Sequence, residues 1–311
     1  MDLEPRLLRY FLAVAQELHF GRAAARNYIS QPSLSSQIQN LERALGTDLF
    51  VRNSRQVALT PAGRALLEEA PRALGALERA AERARFAGAG IAGTVRLGYA
   101  PMAGYETLDA ILSAVEQDSP NVTVIASELF SSEIPGRVLA GEQDVGLALF
   151  PEPMRGVRSR LLRVEPLALL FDKHHRLADS DPIPVASLAG ETLLLFPREL
   201  APGYYDRVIA ACEQSGFQPR IRAFTDPPPQ AMVARLRTTR EIGLPPASFA
   251  RHSAAADPGL VARTIVQPEI TAEWSVLWSA RSQSEAIVRF LESARRCSEE
   301  NGWLSLPVAN G

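Results

Sequence analysis

The sequence predicts an α/β protein with an all-α domain at its N-terminus and a two-lobed α/β domain after it. Three observations support this prediction. Apolar residues recur at helical spacing through the first 86 residues. The glycine-containing segment AGAGIAG then interrupts that spacing at residues 87–93. Beyond it, short apolar runs alternate with amphipathic segments, which is the pattern of parallel β-α units.

The first two helices and the start of a third are marked by their local signals. Residues 4–18 have apolar side chains at helical spacing behind Pro5, which a first helical turn tolerates. A short helix is expected over Gly21–Tyr28. Ser30 can then cap a third helix that has Pro32 in its first turn. Two short helices joined by a tight turn are typical of a helix-turn-helix.

The third helix, in the stretch SQPSLSSQIQNLERALG, combines a polar start with one apolar stripe. The stripe predicts packing on the two preceding helices. Short uncharged side chains near a helix N-terminus can approach base edges in a major groove, and the terminal N–H groups can hold phosphate. An ordinary capped surface helix has the same composition, so this helix alone leaves both interpretations open. The stripe is Leu34, Ile38, Leu41 and Leu45, and the outward positions are Pro32, Ser36, Gln39 and Arg43.

Two short apolar runs surround RNSR in the stretch LFVRNSRQVALT, which predicts a β-hairpin after the third helix. Arg52 and Arg55 at its tip would lie beside a DNA backbone or in the minor groove, as a wing does. The N-terminal domain is therefore expected to be a winged helix-turn-helix.

A long helix is predicted next, capped by Thr60, with Pro71 in its interior expected to kink it. Its apolar residues form a heptad seam that needs a packing partner. The partner is either a second subunit, the interpretation we favour, or the C-terminal domain of the same chain. The seam consists of Leu67, Ala70, Leu74, Leu77, Ala81 and Ala84.

Strand and helix patterns alternate in two successive sets after the glycine-containing segment. The first set starts at TVRLGYA and the second at EPLALLFDKHH, and a final amphipathic helix closes the chain. Two lobes with a cleft at the strand ends are expected, and such a cleft binds a small ligand.

Composition narrows the class of function. Basic and acidic residues nearly balance, with 33 Lys and Arg against 35 Asp and Glu, so any nucleic-acid contact has to come from a local patch. Cys212 and Cys297 lie far apart, and no secretory leader, membrane span or disulfide framework is indicated. A cytoplasmic protein is expected.

These segments, taken in order, resemble the LysR-type transcriptional regulators. The N-terminal resemblance runs from LRYFLAVAQELHF to ALTPAG, and GTVRLGYA, LAGEQDVGLAL and LPPAS resemble the family's effector-binding domain. The resemblance implies a winged helix-turn-helix at 1–59, a linker helix at 60–87 that pairs two subunits, and a hinge at 88–92. A periplasmic-binding-protein-like effector domain follows at 93–311. Its lobe one is expected to take 93–165 and 268–300, and its lobe two 166–267.

The resemblance also implies partners and DNA contacts. A homodimer or homotetramer would bind promoter or operator DNA, with RNA polymerase as a further candidate partner and no membrane. Many relatives carry Arg or another long side chain where this chain has Ser36. Many also carry Leu where it has Asn27, so either Tyr28 takes over that burial or the domain is less stable. The implied contacts are Gln31, Pro32, Ser33, Ser35 and Ser36 in the groove, and Arg52 and Arg55 at phosphate or the minor groove.

The implied effector contacts lie at strand ends and loops of both lobes. Ser131 and Ser132 are expected to open a helix, either as plain N-caps or as groups that hold a carboxylate. Arg198 could supply the cation for an anionic effector, although this chain has Leu149 where some relatives that sense aromatic acids have Arg. The contacts are Pro101, Met102, Ser131, Ser132, Phe196, Pro197, Arg198 and Thr225.

Other functional signals are weaker. His174 and His175 have no further Cys or His at ligand spacing, so no metal and no cofactor is expected. Cys212 is interpreted as a packed core thiol, and the pair Trp274 and Trp278 as packing residues. No catalytic constellation is present, so the chain is not expected to be an enzyme. The alternatives are a ligand-independent or repressing regulator, and a solute-binding protein or enzyme built on the two-lobed domain.

Overall fold

A computed structural model of the chain describes residues 3–52, 57–88, 93–224, 229–282 and 284–305. The chain divides into two compact units, one ending at Arg85 and the other beginning at Phe86. Each unit has its own hydrophobic core.

The N-terminal unit consists of helices around one core, with a small hairpin. The apolar stripe of the third helix lies in that core as predicted, because Leu34, Ile38 and Leu41 are fully buried and Leu45 is half-buried. The helices are α1 (Pro5–Glu17), α2 (Phe20–Arg26), α3 (Gln31–Leu45) and α4 (Pro61–Gly88), and the antiparallel strands are β1 (Phe50–Arg52) and β2 (Val57–Leu59).

The second helix begins and ends earlier than the sequence predicts. The His19 side chain caps it, since its Nδ1 accepts hydrogen bonds from the backbone N–H groups of Gly21 and Arg22 at 3.1 and 3.2 Å. The helix ends at Arg26, and Tyr28 then adopts a left-handed backbone conformation, with φ of 56°.

Tyr28 does not take over the burial that a leucine at position 27 would provide, so that alternative is wrong. Its side chain is 97% exposed. The next residue, Ile29, packs against the core instead, and the Asn27 amide donates to the Ala23 carbonyl at 2.8 Å. Exposure therefore alternates along this turn: Tyr28 and Ser30 are exposed, and Asn27 and Ile29 are half-buried.

The seam of the long helix is used in part within its own unit. Ala70 and Leu74 belong to the N-terminal core and are 1% and 9% exposed, whereas Leu77 is 49% exposed. The helix continues through Pro71, whose side chain lies on the exposed side.

The C-terminal unit contains two sheets, one in each lobe. The first has the strand order β4-β3-β5-β13-β6 and the second the order β10-β9-β11-β7-β12-β8. The strands are β3 (Gly93–Tyr99), β4 (Val122–Glu128), β5 (Val145–Leu149), β6 (Val157–Pro166), β7 (Ala168–Asp172), β8 (Ile183–Pro184), β9 (Thr192–Leu195), β10 (Arg220–Ala223), β11 (Ile242–Gly243), β12 (Leu260–Val266) and β13 (Thr271–Ser279). The α-helices are α5 (Thr107–Asp118), α6 (Ile134–Leu139), α7 (Pro202–Gln214), α8 (Pro229–Leu236), α9 (Ala247–Ala256) and α10 (Glu285–Glu300).

Both sheets are mixed, whereas the alternating pattern alone predicts parallel pairing. β3 is parallel to β4 and β5, but β13 is antiparallel to β5 and β6. In the second lobe β12 is antiparallel to β7. The reason is topological. β13 returns from the second lobe and runs between β5 and β6 of the first sheet, where Trp274 pairs with Leu149 at the end of β5.

A buried carboxylate lies where the chain crosses between the lobes. Glu165 accepts hydrogen bonds from Trp274 Nε1 at 2.9 Å and from the backbone N–H of Ser248 at 2.8 Å. The Ser248 hydroxyl donates to it at 3.0 Å, and Arg163 Nε lies 3.5 Å away. Because Ser248 is in α9 of the second lobe, this carboxylate ties both lobes to the crossing segment.

Candidate functional site

The exposed N-terminal end of α3 is the first candidate site. Gln31, Pro32, Ser33 and Ser36 are exposed, and Ser35 is half-buried. The cap forms as predicted, because the Ser30 hydroxyl accepts a hydrogen bond from the Ser33 N–H at 3.3 Å. The helix therefore presents small uncharged side chains around a capped end of positive dipole.

The opposite end of α3 is tied to the hairpin, which holds the helix in place. The buried carboxylate of Glu42 accepts hydrogen bonds from the N–H groups of Leu49 and Phe50 at 2.9 and 3.3 Å. Gly46 ends the helix with φ of 71°, the left-handed conformation that favours glycine. A side chain at Gly63 would lie 2.2 Å from the Leu49 carbonyl oxygen, so α4 approaches the hairpin closely.

The predicted β-hairpin forms, but the predicted positions of its two arginine side chains stay predictions. β1 and β2 pair antiparallel, with Arg52 opposite Val57 at the end of the ladder. The Arg52 side chain and the whole of Arg55 lie outside the described residues. Among the basic residues of α2, Arg22 and Arg26 both lie within ion-pair distance of Glu17.

The second candidate site is a narrow pocket between the two lobes of the C-terminal unit. Its empty space, open mouth included, is about 350 Å³. The first lobe contributes the ends of β3, β4, β5 and β13, and the second lobe contributes the end of β9, the loop after it and the start of α7. The lining residues are Ala100, Pro101, Met102, Phe130, Ser131, Leu149, Phe196, Leu200, Ala201, Tyr204 and Trp274.

The eight predicted effector residues fall into three groups. Pro101, Met102, Ser131 and Phe196 line the pocket together. Three others are not among the lining residues: Ser132 and Arg198 are exposed and Pro197 is half-buried. Thr225 lies outside the described residues.

Sequence reasoning missed most of the second lobe's contribution. Tyr204 and Ala201 reach the pocket because α7 begins at Pro202 and directs its first turn toward the first lobe. Trp274 is fully buried, as expected of a packing residue, yet it also forms part of the pocket wall. The clustering of aromatic residues in GYYDRV was the available signal for Tyr204.

The serine turn after β4 differs from its prediction. α6 begins at Ile134, so Ser131 and Ser132 lie in the preceding turn and neither caps the helix. The Ser131 hydroxyl instead accepts a hydrogen bond from the Leu149 N–H at 3.1 Å. This bond fastens the turn to the end of β5.

Arg198 does not supply a cation to the pocket. Its Nε and Nη2 each donate to the Asp206 carboxylate at 2.7 Å, and both side chains are largely exposed. The hydrogen bonds from Arg198 hold the pKa of the Asp206 carboxyl below its usual range. The guanidinium is thus engaged by a carboxylate of α7, the helix that follows it.

The remaining candidates pack inside the fold. His175 is buried, with its Nε2 3.3 Å from a Glu191 oxygen, and burial raises the pKa of the Cys212 thiol to about 11. Trp278 lies beneath the guanidinium of Arg160. Within the described part of the chain, no group of three or more His, Cys, Asp or Glu residues could hold a metal ion. No described helix is long and apolar enough to cross a membrane.

Comparisons with known proteins place both sites in a family context. Residues 5–64 match the family described as bacterial regulatory helix-turn-helix protein, lysR family, and residues 88–297 match the LysR substrate binding domain. The chain is 34% identical over 294 residues to the HTH-type transcriptional regulator XapR of Escherichia coli (strain K12). That match covers 92% of this chain and 95% of XapR.

Two solved structures of one protein are similar along the whole chain. CbnR, a LysR family transcriptional regulator, matches with a TM-score of 0.80 at 30% identity, covering 95% of this chain and 99% of CbnR. Full-length CbnR in complex with its target DNA matches with the same TM-score and identity, covering 95% of this chain and 100% of CbnR.

Proposed function

The chain belongs to the LysR family of transcriptional regulators, and we propose that the N-terminal end of its α3 contacts base edges in the major groove. The protein is a DNA-binding regulator with an effector-binding domain, and it is not an enzyme. The observation that carries the proposal is that the polar end of α3 is exposed while its apolar stripe is buried. The proposed contacts are Gln31, Pro32, Ser33, Ser35 and Ser36, with Arg52 and Arg55 at phosphate or the minor groove.

Two subunits are proposed to pair through α4, as a homodimer or as a homotetramer of two such pairs. Leu77 supports this, because a large apolar side chain that is 49% exposed gains from a partner helix. Ala70 and Leu74, which already pack in the N-terminal core, would instead fix the position of α4. Paired linker helices would hold two copies of α3 at the spacing of successive major grooves.

The pocket between the lobes is the proposed effector site. Pro101, Met102, Ser131 and Phe196 contribute to it from both lobes. The two lobes would adopt more open and more closed conformations. A ligand that binds one of these conformations more tightly would increase its population. Such a shift would change the spacing of the paired DNA-binding domains and therefore the bend imposed on the DNA.

The proposed cellular location and protein partner follow from binding at a promoter. We place the protein in the cytoplasm, where the DNA is, with RNA polymerase as its proposed protein partner. The proposed division remains a DNA-binding domain at 1–59, a linker helix at 60–87, a hinge at 88–92 and an effector domain at 93–311.

The DNA contact is tested by a mobility-shift assay and a binding-site selection on the DNA upstream of the chain's own gene. Gln31→Ala or Ser36→Ala should relax the base preference at individual positions, by roughly 1–3 kcal/mol for a direct contact. Gln117→Ala, at an exposed position of α5, is the matched control and should leave the preference unchanged. An unaltered preference in both α3 variants would contradict the proposed groove contact.

A further inference from the structure

Among the residues that the structure describes, none with a charged side chain lines the effector pocket. Of the described residues that line it, only Ser131, Tyr204 and Trp274 carry a polar side-chain atom. Residues 225–228 are undescribed, but they are Thr, Asp, Pro and Pro and so cannot add a cation. A ligand in this space therefore meets apolar surface almost everywhere.

Two of the three polar side chains are already engaged by the protein. The Tyr204 hydroxyl donates to the Leu244 carbonyl oxygen at 3.0 Å, and Trp274 Nε1 donates to Glu165 at 2.9 Å. Burial raises the pKa of Tyr204, so its phenol stays neutral at physiological pH. Ser131 differs: its oxygen accepts from the Leu149 N–H, and among the described residues nothing accepts its proton.

Three backbone N–H groups in and beside the serine turn already have acceptors within the protein. The Ser132 N–H donates to the Leu200 carbonyl at 3.3 Å, and the Glu133 N–H donates to the Phe130 carbonyl at 2.9 Å. The Phe130 N–H donates to the carboxylate of Glu133 at 3.0 Å. An incoming carboxylate would therefore find these donors occupied and a negative charge already in place.

Arg198 and Arg207 are close in sequence to the second-lobe residues that line the pocket, and each forms an ion pair with a carboxylate. Arg198, in the loop before α7, is bound by Asp206 of that helix, and Arg207 Nη2 donates to Glu273 Oε1 at 2.8 Å. Neither guanidinium lines the pocket. A buried carboxylate would thus lose its hydration without gaining a cationic side chain from the described part of the wall, which disfavours its entry.

We propose that the effector of this chain is a small uncharged molecule, largely apolar, with one hydrogen-bond acceptor that receives the Ser131 hydroxyl proton. The inference rests on the proposed function, because it takes the pocket as the effector site. It departs from the anionic effector that the sequence suggests.

The test compares ligand pairs of equal shape that differ in charge. Acetophenone and benzoate share a ring and a carbonyl, and 3-methylbutan-2-one and isobutyrate form a smaller pair of the same kind. The full chain is labelled with ¹³C at its methionine methyl groups and titrated at pH 7. Met102 lines the pocket, while Met154 and Met232 do not, so they serve as internal controls. Met102→Leu assigns the Met102 resonance.

At least one ketone should shift the Met102 methyl resonance with an affinity about tenfold or more above that of its carboxylate partner. A carboxylate that binds at Met102 as tightly as its ketone would overturn the inference and leave the effector site in place. If no ketone shifts Met102 in either pair, the inferred ligand class is wrong, whereas the proposed DNA contact is tested separately by the mobility-shift assay.

Matched serine variants test the hydrogen bond. Ser131→Ala should lower the affinity for the bound ketone by about twofold to tenfold, whereas Ser132→Ala, whose side chain is exposed, should leave it unchanged. Thermal melting of both variants controls for the Leu149 N–H, which loses its acceptor in Ser131→Ala. An unchanged ketone affinity in a folded Ser131→Ala variant would refute the assigned role of the hydroxyl.

Discussion

Gly203 in the first turn of α7 packs directly against Phe150, the residue that follows β5. A Cβ at Gly203 would lie 2.6 Å from the Phe150 Cβ and 3.0 Å from its carbonyl oxygen. One turn later, Arg207 lies over the Phe150 ring, 4.5 Å from its centroid, and pairs with Glu273. Gly203 and Arg207 belong to the second lobe and the other two residues to the first, so this contact joins the lobes beside the effector pocket.

Gly203→Ala should therefore destabilise the C-terminal unit by roughly 1–3 kcal/mol, because the new methyl group overlaps backbone and Cβ atoms that cannot move freely. Urea denaturation of the full chain measures the change. Gly136→Ala is the matched control, since a Cβ there meets nothing within 4 Å and α6 gains a better helix former. It should stabilise the unit by about 0.5–1 kcal/mol. Equal effects of the two substitutions would contradict the close contact.

Tyr28→Asn should stabilise the N-terminal unit by roughly 0.5–1 kcal/mol, because asparagine tolerates the left-handed backbone better than tyrosine does. Little packing is lost, since the Tyr28 side chain is 97% exposed. Thermal unfolding of the two variants measures the difference. Tyr28→Phe keeps the strained backbone and should stay within about 0.5 kcal/mol of the parent. A destabilised Tyr28→Asn variant would show that the phenol makes a contact that its exposure does not reveal.

Arg52→Ala should weaken binding to all DNA sequences alike and lower the slope of log affinity against log salt by about one, because a lost phosphate contact releases one counterion fewer. The salt dependence is measured by fluorescence anisotropy on specific and unrelated duplexes. Arg6→Ala, in the first turn of α1 beside Glu4, is the control. A slope that does not change in Arg52→Ala would reject the phosphate role.

Glu241 should give the second lobe a pH-dependent stability. Arg235 donates two hydrogen bonds to its carboxylate, at 2.6 and 3.1 Å, and these hold the pKa of Glu241 below its ordinary value. A lowered folded-state pKa stabilises the fold fully above the unfolded pKa of about 4.3, and this stabilisation is lost as pH falls through the folded value.

Glu241→Gln should thus be less stable than the parent at pH 7, and the difference should shrink below about pH 4. Urea denaturation across this pH range is the measurement. Glu292→Gln, at an exposed position of α10, is the control and should change stability little at any pH. A constant difference across the range for Glu241→Gln would argue against the ion pair as its cause.

Periodicity predicted the buried face of α3 well, because spacings of three and four residues place Leu34, Ile38 and Leu41 on one side of any helix. Periodicity could not predict that Ala70 and Leu74 of the α4 seam pack within the N-terminal unit. An apolar seam indicates that a helix has a packing partner, but it does not identify that partner. Arg198 shows the same limit: its charge is visible in the sequence, but its pairing with Asp206 depends on the loop before α7 folding back beside that helix.

The sequence by itself determined the order of the elements, the α3 stripe, the cap at Ser30 and the family to which the chain belongs. Those features depend on local residue spacing and on short motifs, which do not depend on contacts with distant parts of the chain. Only the tertiary structure decided that Tyr28 faces solvent, that the Ser131 hydroxyl accepts from the Leu149 N–H, and that the described part of the pocket wall is uncharged. These depend on contacts between residues distant along the chain, whose mutual distances no local pattern encodes.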